Sequence, residues 1–297
     1  MNRNGVYRGV APCAPVGASR GSLTRWASFT GEWLERQGIG MYSGYDLRSA
    51  GVVVGMDMNF SRSTFGGIAF GYDNAHQSFQ TIRADNSIDA FRTALYGGIR
   101  SGSIFADGYF GYTKNWNKTC RDINVGTFNE TARSKFDDGM FSLGMEVGRK
   151  LSFGRTNLTP SIGLHYINLS TPTITESGAG DANLLVHSHE YNSLRIPVGA
   201  TLSRDIVGGR MTWTPEARVF YVREMADASV RTGTSFATVS SVPFYAESGS
   251  WGCNSGRFGL GLNAQLSNRL NVRVDYDYEV YDHTTADAFT ATLGVKW

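Results

Sequence analysis

Several groupings in this chain have the residue types for chemistry. His187 and His189, in VHSHE, share one face of an extended segment at a spacing a metal could use. Asp137–Asp138 and Asp282–His283 could set an acid pair and an Asp–His pair around a water, the parts needed for peptide hydrolysis. His165, in LHYI, could act as base to a serine. Asp57, Glu146, Asp275 and Glu279 are carboxylates that could cleave a neighbouring peptide by acid–base catalysis, although no Asn-Asn pair precedes the first predicted strand. Cys13, Cys120 and Cys253 match no metal-ligand spacing. Each grouping also has a plainer reading as a solvated loop or a structural ion pair, so the elements that carry them decide.

Those elements are strands. The chain has 297 residues, a net charge of +2, 36 Gly, 14 Tyr, 17 Phe, 6 Trp and only 7 Pro. So balanced a charge excludes an electrostatic nucleic-acid binder. Abundant Gly and aromatics with little Pro suit an all-β chain. No run reaches the roughly 18 apolar residues of a spanning helix, which leaves a membrane barrel open because its alternating strands average out. The N-terminus carries no charged-then-apolar leader.

Period-two alternation recurs twelve times. In AGVVVGMDMNFS, Val52, Val54, Met56, Met58 and Phe60 share a face. DGMFSLGMEVGRKL sets Phe141, Leu143, Met145 and Val147 against Ser142, Gly144, Glu146 and Gly148. RLNVRVDYDYEVY sets Leu270, Val272, Val274, Tyr276, Tyr278 and Val280 against Asn271, Arg273, Asp275, Asp277 and Glu279. The last, DAFTATLGVKW, runs Phe289, Ala291, Leu293, Val295 and Trp297 to the final residue. Predicted connections alternate between long (38–48, 73–86, 117–137, 171–191, 223–255) and short (61–63, 100–103, 153–155, 205–210, 267–269). This polarity predicts a single-chain, twelve-stranded, antiparallel up-and-down transmembrane β-barrel, with turns at one end and loops at the other.

A charge on the hydrocarbon side would cost about 2–4 kcal/mol near the midplane. The charged faces therefore point inward, placing Asp57, Glu146, Glu216, Arg218, Arg273, Asp275, Asp277 and Glu279 in the lumen, with Asp107 and Arg195 beside them. Glycines on that face, among them Gly55, Gly144, Gly148, Gly163, Gly199, Gly259 and Gly261, either relieve curvature or leave room for a peptide. Trp26, Trp33, Tyr72, Trp116, Tyr166, Trp213, Tyr281 and Trp297 have the character of interfacial girdles. Cys120 and Cys253 both fall in outer loops, where a disulfide between them is one outcome.

The stretches RSAGVVVGMD, FGGIAFGY, NLTPSIGLHYINL, SLRIPVGATLSR, WTPEARVFYVRE and the terminal FTATLGVKW, in this order over residues 24–297, resemble the translocator (β) domain of type V autotransporters. The resemblance implies a barrel in the Gram-negative outer membrane that anchors and exports an N-terminal passenger, residues 1–23 being the linker or lumen segment. It implies surrounding lipid, the barrel-assembly machinery and the passenger as partners. The alternating C-terminal residues Phe289, Ala291, Leu293, Val295 and Trp297 would be the assembly signal. It calls for no cofactor, metal or catalytic residue, and for a monomer. The missing leader and passenger favour a fragment of a longer gene product. A small porin-like channel is the alternative, and an outer-membrane protease or phospholipase the third reading.

Overall fold

The computed structural model describes residues 21–209, 211–227, 229–250 and 252–297. The linker expected over residues 1–23 therefore lies, up to residue 20, outside the described residues. Twelve long strands form one closed antiparallel sheet. They are β1 (Leu23–Arg36), β2 (Tyr45–Asn59), β3 (Thr64–Phe79), β4 (Ala84–Ser101), β5 (Ile104–Val125), β6 (Phe128–Arg149) and β7 (Thr156–Thr171), then β8 (His189–Arg204), β9 (Met211–Glu224), β10 (Asn254–Gln265), β11 (Leu270–Tyr281) and β12 (Thr284–Lys296). Each pairs with its sequence neighbour, and β12 pairs with β1, from Thr24 opposite Lys296 to Arg36 opposite Thr284. A closed sheet leaves no unpaired edge, the condition for spanning a bilayer with strands.

The alternation read from sequence is the in–out alternation of the wall. Val52, Val54, Met56 and Met58 are exposed on the outside, while Val53, Asp57 and Asn59 are buried inside. The same parity exposes Leu143, Met145 and Val147, and Val274, Tyr276 and Val280. This exposed apolar surface is what hydrocarbon would cover.

The long-loop prediction needs correction. Two of the predicted loops are strand: β3 and β4 are joined only by residues 80–83, and β5 and β6, 22 residues each, are joined by 126–127. Strands of 16, 18, 22 and 22 residues are longer than the roughly ten that a tilted strand needs to cross a bilayer. Gly126, at φ 60°, occupies the left-handed conformation that this two-residue turn requires. The 172–188 and 225–253 connections are long as predicted. Within them Ile174–Thr175, Leu184–Val186, Arg231–Phe236 and Val239–Glu247 make a second, four-stranded sheet at the outer end.

Candidate functional site: the charged lumen and the closing strand

Inside the wall, charges are tied both across strands and along them. Arg218 on β9 and Asp277 on β11 flank Gly259 of β10 in one row, and Glu216 and Asp275 flank Gly261 in the next. Arg218 donates to Asp275 Oδ1 at 2.6 Å and to Asp277 Oδ2 at 3.2 Å. Arg273 donates to Asp275 Oδ2 and to Glu216 Oε2, each at 2.7 Å. A Cβ added at Gly259 would run into the Asp277 carboxylate and the Arg218 guanidinium, and one at Gly261 into Asp275 and Arg218. The glycines thus clear the path by which one arginine reaches over β10 to two aspartates.

A second cluster centres on Glu279, 1% exposed. It accepts from Arg195 of β8, from Arg257 Nε at 3.0 Å and from Ser255 Oγ at 2.6 Å. The Arg195 guanidinium lies 5.4 Å from the centre of the Tyr281 ring. Toward the turn end, Trp26 Nε1 donates to Tyr96 Oη at 2.7 Å, and that hydroxyl donates to Asp57 Oδ2 at 3.2 Å. Glu146 lines a cavity of about 260 Å³ together with Arg218, Arg257 and Arg273. A second cavity of about 270 Å³ lies nearer the outer end, between Asp73, Arg92 and Asp138.

Each charged residue named for the lumen lies on this inner face, and the structure joins Glu216, Arg218, Arg273, Asp275 and Asp277 into one network. Sequence reading missed Arg257, which is a ligand of Glu279, and the Arg92–Asp73 and Arg100–Asp107 pairs, with Arg92 Nε to Asp73 Oδ2 at 2.5 Å and Arg100 Nη2 to Asp107 Oδ2 at 2.9 Å. Asp73 falls inside the predicted loop 73–86, whereas the structure has it buried within β3. Strand parity from Ala69 and Gly71 would have placed it inside.

The inward glycines meet neither expectation squarely. Trp26 lies over Gly55, Tyr96 over Gly67, Tyr109 over Gly144, Phe105 over Gly148 and Phe220 over Gly199, each ring occupying the space of the absent Cβ. Cross-strand aromatics cover the bare backbone and stiffen the wall. Two residues expected in the girdle face inward instead. Trp26 is buried at 4% exposure, and Tyr281 turns in under Arg195. Trp33, Tyr72, Trp116, Trp213 and Trp297 are exposed.

The groupings suited to catalysis come apart. Asp137 faces out beside Lys114 at 3.3 Å, whereas Asp138 faces in and accepts from Asn117 at 2.8 Å. Asp282 and His283 form the tight β11–β12 turn, His283 with φ 55°. His165 lies inside the barrel, its ring centre 6.3 Å from that of Tyr109, so it has no access to lipid. His187 packs against Gly233 and His189 lines the outer cavity. Cys120 and Cys253 are both free thiols, which removes the disulfide between them.

The last strand closes the molecule. Leu293 stands opposite Ala27 of β1 and Val272 of β11, and Phe289 opposite Gly31 and Tyr276. Phe289, Ala291, Leu293, Val295 and Trp297 share the outward parity, with Leu293 and Trp297 exposed. The Trp297 amide donates to Leu23 O at 2.9 Å, and the Arg25 guanidinium lies 5.4 Å from the centre of a Trp297 ring.

Comparison with known proteins agrees with this architecture. The family model described as autotransporter beta-domain matches residues 25–277. Outer membrane protein B of Rickettsia typhi is 24% identical over 290 residues, covering 92% of this chain and 17% of that protein. An extracellular serine protease of Serratia marcescens is 26% identical over 162 residues, covering 53% of this chain and 15% of its own length. The chain thus spans less than a fifth of these relatives. Among solved structures, the translocator domain of autotransporter NalP from Neisseria meningitidis superposes with a TM-score of 0.74 at 17% identity, covering 95% of this chain and 91% of that one. The beta domain of the Bordetella autotransporter BrkA gives 0.70 at 15% identity, with 92% and 98% covered. The chain therefore belongs to the autotransporter family, as its translocator β-barrel of the Gram-negative outer membrane.

Proposed function

We propose that this barrel exports and anchors a passenger joined to its N-terminal side, that the chain passes through the lumen, and that the barrel works as a monomer with no catalysis of its own. The observation that carries the reading is the entry into β1. Ser22 is buried, its hydroxyl accepting from Asn59 Nδ2 at 2.9 Å, and the Gly21 amide donates to Asn59 O at 2.8 Å. Gly21 and Ser22 are therefore held against the inner wall at the turn end. From there the path to the loop end runs along the polar lumen, where passing backbone finds hydrogen-bonding partners that hydrocarbon lacks. The unlike-charged networks favour no single sign of ion, which suits a peptide conduit better than an ion filter.

Recognition of β12 by the assembly machinery belongs to the same reading. An alternating strand can be read by strand addition, its outward side chains fixing the register. To test export, an epitope tag is fused before residue 1 behind a secretory leader and probed on intact cells. Tag exposed to antibody and external protease supports the proposal. Tag reached only after the outer membrane is permeabilised overturns it.

A further inference from the structure

The outer face of the β5–β6 hairpin carries a feature that lumen transport does not use. Lys118 and Lys135 stand directly opposite each other in the β5–β6 register, both on the outward side and both exposed. Like charges directly opposite on a sheet repel, so a bare pair is unfavourable unless something anionic lies between them. Neither lysine forms an ion pair among the described residues. The outward carboxylates nearby are largely occupied. Asp137 pairs with Lys114, Asp122 accepts from Thr131 at 2.8 Å, and Asp89 accepts from Tyr72 at 2.7 Å and Asn74 at 3.1 Å while also feeling the charge of Lys118. Asp85 stands opposite Cys120, one step further out. Arg133, also opposite Cys120, adds a third exposed cation.

Depth identifies the anion. On the outward face of β5 the order from the turn end is Ile104, Phe110, Tyr112, Lys114, Trp116, Lys118. Aromatics of this kind mark the boundary between hydrocarbon and headgroups. Each two-residue step on a strand tilted about 40° climbs about 5 Å, so the lysine pair sits about one step above Trp116. That is the level of the phosphates in the outer leaflet. Along the same register row toward β2, Lys118 is followed by Ser87, His76 and Arg48, so no other neighbouring positions in it set two ammonium groups opposite each other.

We infer that Lys118 and Lys135, with Arg133 above them, form a binding site for the phosphate of an outer-leaflet glycolipid, lipid A. One phosphate between two ammonium groups converts the repulsion into two charge-assisted hydrogen bonds. The acyl chains then lie over Phe110, Tyr112 and Leu143 below. The site fixes one lipid against the longest hairpin of the barrel. It rests on the outer-membrane placement and not on passenger export.

The full chain, folded in a zwitterionic detergent, is titrated with bis-phosphorylated lipid A, with the same lipid dephosphorylated, and with inorganic phosphate, and the thermal unfolding midpoint is followed. Ligand that binds only the folded state raises the midpoint. Phosphorylated lipid A raises it by about 3 °C or more, an effect that weakens with added salt. Lys118→Gln/Lys135→Gln, which still shows a folded band before boiling, loses that shift. Lys118→Glu supplies an internal partner: it unfolds at a higher temperature than wild type without lipid and also loses the lipid response. Equal shifts from the dephosphorylated lipid, from inorganic phosphate alone, or in the double variant overturn the inference.

Discussion

Glu279→Gln isolates what the lumen charges contribute. The carboxylate is 1% exposed and sits between two guanidinium groups, Arg195 and Arg257, with Ser255 as a third donor. Arg195 is itself 4% exposed. Removing one member of a buried pair leaves an uncompensated charge and costs about 3–5 kcal/mol. Here one removal leaves two neighbouring cations, so the upper half of that range applies. In urea, with a slope of about 3 kcal/mol per molar, the loss moves the midpoint down by about 1–2 M. The assay is equilibrium unfolding of the detergent-folded barrel, followed by tryptophan fluorescence and by the folded band on unboiled gels. The companion variant is Arg195→Met/Glu279→Leu. It deletes both members of the innermost pair, and a buried ion pair replaced by apolar groups of similar volume is often neutral. The double variant is therefore more stable than Glu279→Gln alone. A Glu279→Gln barrel that unfolds with wild type, or a double variant worse than the single, would refute the account of the cluster as a mutually compensated set.

Other outcomes follow from the wall. Leu293→Arg puts a charge on the lipid face of the closing strand, at about 2–4 kcal/mol near the midplane, and its folded band in isolated outer membranes is strongly reduced. Gly144→Ile forces Tyr109 off the bare backbone of β6, costing about 1–3 kcal/mol by overpacking, whereas Gly208→Ala, with open space around its Cβ, leaves the urea midpoint unchanged. Cys120 and Cys253 both react with maleimide in protein unfolded without reductant; protection of both would contradict the free thiols.

Where hydrocarbon and lumen enforce opposite chemistries on alternate residues, the sequence was legible. Strand identity, inward parity of Asp57, Glu146 and the β11 charges, and closure of β12 on β1 could all be read from that contrast. Above the membrane the contrast disappears. Residues 117–137 carry Thr119, Arg121 and Ser134 on one face and Lys118, Asp122, Asn129 and Lys135 on the other, polar on both, so they read as loop although all but the two turn residues are strand. The partners of the inward charges were not legible either. Arg218 reaches Asp277 because Gly259 lies between them, and that depends on register across three strands. Aromatic residues at strand ends were ambiguous by type. Parity with Thr24 and Ser28, which are buried, would have sent Trp26 inward.

The β1–β12 seam also sets an order in time. Ser28 and Thr292 share a hydroxyl hydrogen bond at 2.8 Å across 264 residues of chain, whereas Tyr72 and Asp89 meet across only 17. Loop closure over the longer span costs about 2 kcal/mol more, so the hairpins form first and the seam last. Until then two raw sheet edges remain, one on the first strand made and one on the last. The molecule becomes a barrel in a single final event, and every earlier intermediate is an open sheet that needs protection from pairing with another copy.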